Sequence, residues 1–75
     1  MDAKDIAEQL GIVLNDETID ENSRITSETN SDWDSLAQIN FLTRIGTAFQ
    51  IKDELLTQIA DIYDLQEIIR VLIKT

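Results

Sequence analysis

Ile6, Leu10 and Val13 recur at the i, i+4, i+7 spacing of one helical face, which predicts a first helix over residues 2–14. Asp2, Asp5 and Glu8 lie towards its N-terminal end, where they oppose the positive pole of the helix dipole. The periodicity stops at residue 15, and Ser, Thr, Asn, Asp and Glu dominate as far as Trp33. Loops beyond ~12–15 residues are uncommon in compact domains and tend to be functional or disordered. Ile19 and Ile25, isolated within the polar run, are the pins that a structured loop needs.

Helical spacing returns at Asp34 or Ser35 and runs to Phe49. Leu42, Ile45 and Phe49 share a face with Ile39 on its shoulder, while Asn40, Thr43, Arg44 and Thr47 form the opposite face. After an extended link at 50–53, a short helical turn is expected over 54–60. The last apolar stripe is Leu65, Ile68, Ile69 and Leu72, preceded by Asp64, three residues before Glu67 in the manner of a capping box. Proline is absent, Gly11 and Gly46 are the only glycines, strand signals are scarce and there is no internal repeat. The expected fold is all-α, a small bundle of three main helices plus one short helix with a long structured loop between helices 1 and 2. Its core should contain Leu42, Ile45, Phe49, Leu65, Ile69 and Leu72, together with Ile6 and Leu10.

Seventy-five residues make a single domain over residues 1–75. At ~0.05–0.15 kcal/mol per residue, its stability should be roughly 4–11 kcal/mol. Fifteen acidic and six basic residues leave a net charge of −9, which argues against binding a nucleic-acid backbone. No apolar run approaches the ~20 residues of a membrane span. The opening MDAKDIAEQL also lacks the apolar stretch of a secretory signal, so a cytoplasmic location is expected. Cysteine and histidine are both absent, removing thiolate chemistry, the commonest metal ligands and the usual general base. Independent catalysis is therefore not expected. Asp16, Glu17, Asp20 and Glu21 lack the glycine and spacing of a calcium loop.

The informative segment is Ser31-Asp32-Trp33-Asp34-Ser35-Leu36-Ala37-Gln38-Ile39. On local chemistry alone it is a helix N-terminus in which Ser35 and Gln38 match an S-x-x-Q capping box. An Asp-Ser-Leu triplet where a long loop meets a second helix, in an acidic helical chain of this size, resembles the acyl carrier protein family, whose attachment motif stands at that junction. The resemblance spans nearly the whole chain. Ile39, Phe41, Leu42, Ile45 and Phe49 match the apolar pattern of the family's second helix, and Ile62-Tyr63-Asp64-Leu65, with Ile68, Ile69 and Leu72, resembles the start of its fourth.

The resemblance implies that Ser35 carries 4′-phosphopantetheine, taken from coenzyme A by a phosphopantetheinyl transferase. The thiol of that arm would hold an acyl or aminoacyl intermediate for loading and client enzymes. It makes Asp34 and Leu36 the motif neighbours of the attachment residue, and Leu36, Ile39, Thr43 and Arg44 partner contacts, on a monomer. For Leu36 and Ile39 the competing expectation is burial in the core. The family's fatty-acid-synthesis members usually have an acidic second helix, whereas no Asp or Glu occurs here between Ser35 and Lys52. Ala37 stands where those members commonly have Asp, and Trp33 replaces the usual small residue. These departures imply a specialised biosynthetic pathway. Two other readings stand beside it: an acidic helical interaction module with an unmodified serine, and a small enzyme using carboxylate acid–base chemistry.

Overall fold

The computed structural model describes residues 1–74 and contains four helices: α1 Ala3–Leu14, α2 Ser35–Phe49, α3 Asp53–Ile59 and α4 Leu65–Lys74. The protein is a small all-α bundle in which α1 packs against α2 and α4, and α3 joins α2 to α4. Local chemistry sets the boundaries. Asp2 caps α1 by accepting from the Asp5 N–H at 2.9 Å, and Asp5 returns a contact from its carboxylate to the Asp2 N–H at 3.1 Å. That is a reciprocal capping box built from two aspartates. Helices α1 and α2 both end on a left-handed residue, Asn15 at φ 54° and Gln50 at φ 53°. At the first of these ends the chain folds back so closely that a Cβ on Gly11 would stand 2.8 Å from the Asp16 carbonyl oxygen. Glycine is required there for space.

The core consists of Ile6, Ala7, Leu10 and Leu14 from α1, Ala37, Phe41 and Ile45 from α2, Ile59 from α3, and Leu65, Ile68 and Leu72 from α4. Ile19 and Trp33 join it from the long loop. Two expectations change here. The buried stripe of α2 is turned towards Phe41, so Leu42 and Phe49 lie half-buried at its edge and Ile39 is exposed. The turn follows from Trp33, which meets the Phe41 ring edge-on at 6.3 Å and draws that side of the helix inward. In α4 the inward position belongs to Ile68, and Ile69 is half-buried.

The loop over residues 15–34 is ordered by its own polar side chains. Asp16, Asp20 and Asn30 each accept, through a side-chain oxygen, the N–H two residues onward at 2.9 Å. Thr26 does so at 3.2 Å. These are the Asx and Ser/Thr turns that such residues favour outside helices. Ile19 is buried and Ile25 half-buried, as the pinning reading expects. Next to Ile25 the loop pairs with the start of α4: the Leu65 N–H donates to the Ile25 carbonyl at 3.0 Å, and the Ser27 N–H to the Tyr63 carbonyl at 3.1 Å. Gln66 adds a clip, its amide nitrogen donating to the carbonyls of Glu21 and Ser23 at 2.9 and 2.8 Å. Asp64 caps α4 through the N–H groups of Gln66 and Glu67, while the Glu67 carboxylate pairs with Arg70 at 2.8 Å instead of closing a box.

Candidate functional site at the start of the second helix

Helix α2 begins where the pinned loop ends, and Asp34 is its cap. The Asp34 carboxylate accepts from the Ala37 N–H at 2.9 Å, and the Asp34 carbonyl accepts the first helical bond from the Gln38 N–H, also at 2.9 Å. This corrects the Ser35–Gln38 capping box. An aspartate one residue earlier is at least as good a cap, and it takes the capping role from the serine. Ser35 is the first helical residue and lies exposed. Its hydroxyl is released from structural duty.

Gln38 is committed elsewhere. It is 2% exposed, and its amide oxygen accepts the Trp33 indole N–H at 2.8 Å. Its amide nitrogen points at three carbonyls between α3 and α4: Ile59 at 3.1 Å, Ala60 at 3.2 Å and Ile62 at 2.9 Å. One indole donor on one side and three carbonyl acceptors on the other allow a single amide orientation. All the buried polar side-chain atoms of the described residues have a partner. Trp33 and Gln38 thus hold the chain on both sides of Ser35, and tie the first turn of α2 to the α3–α4 corner. Tyr63 flanks the indole with ring centroids 6.0 Å apart.

Outside this anchor the helix presents its other face to solvent. Leu36 is 67% exposed and Ile39 is 59% exposed, so the core-packing expectation for both is set aside. Thr43 and Arg44 continue the exposed face, with the Thr43 hydroxyl donating back to the Ile39 carbonyl at 2.9 Å. The four residues expected to meet partners therefore lie on the solvent side of one helix, beginning next to Ser35. No acidic residue occupies the first turn of α2 itself.

Sequence reasoning missed Gln38 as an anchor, because a glutamine three residues after a serine matches a cap pattern first. The available signal was the spacing 38, 41, 45, which places Gln38 on the Phe41–Ile45 face, five residues after the only tryptophan. Among the described residues no helix is long and apolar enough to cross a membrane. Comparison of the chain with protein-family models, with curated proteins and with solved structures finds no match.

Proposed function

We propose that the protein is a phosphopantetheine-dependent carrier, and that Ser35 is the residue to which the arm is attached. A transferase moves 4′-phosphopantetheine from coenzyme A to Ser35 Oγ, releasing the nucleotide half of the coenzyme. The bound group then supplies a thiol that holds an acyl or aminoacyl intermediate as a thioester. The observation that carries this reading is an exposed serine hydroxyl, excused from capping by Asp34, at the head of a 15-residue helix within Asp34-Ser35-Leu36.

The residues present suit that group. The first N–H groups of a helix have no intrahelical acceptor, and the positive pole favours a phosphodiester beside them. The chain needs no cysteine of its own, since the thiol arrives with the arm. Ser35 offers its oxygen, Asp34 and Gln38 fix the turn on which it sits, and Leu36 and Ile39 offer apolar area to an enzyme reaching for the arm. A flexible tether on a small carrier raises the effective concentration of cargo at a client's active site. The charge pattern of α2, neutral apart from Arg44 between Ser35 and Lys52, favours a dedicated pathway over clients that select an acidic helix.

Intact mass of the protein isolated from its native cell, with thioesters preserved, tests the reading. A species heavier by phosphopantetheine, or by the arm plus cargo, is expected. Protein that is wholly unmodified while its cellular transferase is active favours the interaction module, which would use the same exposed face with a free serine.

A further inference from the structure

Arg44 is a cation set without a carboxylate. Its helical neighbours three and four residues away are Asn40, Phe41, Thr47 and Ala48, and α2 contains no acidic residue. Among the described residues, the ion pair formed is Arg70–Glu67, not one with Arg44. Arg44 Nε instead donates to Oε1 of Gln9 on α1 at 3.0 Å. That bond to a neutral acceptor orients the guanidinium while no carboxylate of the described residues stands at salt-bridge distance, and both terminal nitrogens take no part in it. The group lines a groove of 390 Å³ between α1 and α2, together with Gln9, Thr43, Thr47 and Ala48.

A pre-oriented guanidinium fork matches the two oxygens of a carboxylate. A chain of net charge −9 repels a polyphosphate, whereas a single carboxylate within an otherwise apolar surface meets far less repulsion. Leu36 and Ile39 supply the apolar complement on the same helix. Leu36 lies eight residues before Arg44, about 12 Å along the axis at 1.5 Å per residue. We infer that this face docks a partner protein that sets an aspartate or glutamate carboxylate on Arg44 while its apolar side chains cover Leu36 and Ile39. Resting on the carrier reading, that partner is a loading or client enzyme, and its docking surface sets one carboxylate in apolar surroundings where partners of acidic-helix carriers present basic patches.

The test uses the full chain without the arm and a synthetic helix-forming peptide as probe. The peptide presents two leucines and, two turns beyond them, a glutamate; a second peptide has glutamine in its place. Titration followed by amide and arginine Nε resonances should move Leu36, Ile39, Thr43 and Arg44. The glutamate peptide should bind about two- to fivefold more tightly than the glutamine peptide, the range of an exposed ion pair. That preference should vanish in Arg44→Gln, a surface change checked by an unchanged thermal midpoint. Equal binding of the two peptides, a preference that survives Arg44→Gln, or no binding at this face overturns the inference. Because the arm is not involved, failure to label Ser35 with the glutamate preference intact removes only the carrier reading, and the converse result removes only the docking inference.

Discussion

The indole N–H of Trp33 donates to the side-chain oxygen of Gln38 at 2.8 Å, with both residues buried and Ser35 between them in the chain. A buried amide satisfied at both ends is stabilising only while every partner stays in place. Truncation of Gln38 leaves the indole donor and the Ala60 and Ile62 carbonyls to find other partners or go without, while the Ile59 carbonyl keeps the Ile62 N–H at 3.0 Å. Gln38→Ala should therefore cost roughly 2–4 kcal/mol, at ~1–3 kcal/mol for each buried polar group left unsatisfied. Trp33→Phe should cost less than Gln38→Ala if the carbonyl side carries most of the effect. Urea unfolding of the two single variants and the double variant checks this, and strict additivity would show that the indole–amide bond contributes no coupling.

Phe41 and Phe49 separate by burial. Phe41 is fully buried against Trp33, so Phe41→Ala should cost ~3–5 kcal/mol, a large part of the stability of so small a domain. Phe49 lies at the edge of the core, and Phe49→Ala should cost about half as much. Chemical denaturation of both variants gives the order directly. A greater loss for Phe49 would mean that the buried face of α2 is centred on Leu42 and Phe49 after all.

Acid sensitivity should have a local component at both ends of α1. The Asp5 backbone N–H, together with weaker contacts from its side chain and neighbours, holds the Asp2 carboxyl below the usual aspartate range. The Thr18 hydroxyl, and then the Thr18 N–H, does the same for Asp16. Both groups bind a proton less readily in the folded chain than in the unfolded one. Their contribution is therefore complete above the ordinary aspartate pKa of about 4, and is lost as pH falls through the lowered folded values. Asn at both positions keeps an oxygen acceptor that does not titrate. The thermal midpoint of the native chain relative to Asp2→Asn/Asp16→Asn should fall between pH 5 and pH 2.5. A constant difference over that interval would remove the linkage.

Most of the bundle was legible because α1, α2 and α4 are amphipathic and start at capping aspartates, whereas Lys52 before the short α3 makes no side-chain cap. Ile6 and Leu10, and Leu65 and Leu72, repeat on one face and are buried where the repeat puts them. What was hidden depends on contacts distant in sequence. Within residues 35–49 the spacing puts Gln38 on the side of Phe41 and Ile45, but Trp33 and the α3–α4 corner, which select that side and satisfy the glutamine, lie outside the helix. Ser35 was legible as a helix-start residue, but its release from capping was not, since aspartate and serine in sequence are both good caps and only geometry assigns the role. The pairing of Arg44 with Gln9 crosses 35 residues and carries no sequence signal.

The measurement that bears most directly on the account is intact mass after incubation with coenzyme A and a promiscuous phosphopantetheinyl transferase, for the native chain and Ser35→Ala side by side. Since Asp34 caps α2 and the Ser35 hydroxyl is exposed, the substitution should leave helicity and thermal midpoint essentially unchanged. The native chain should gain the mass of one phosphopantetheine group, and Ser35→Ala should gain none. A folded native chain that gains no mass, or a Ser35→Ala variant that still does, would contradict it.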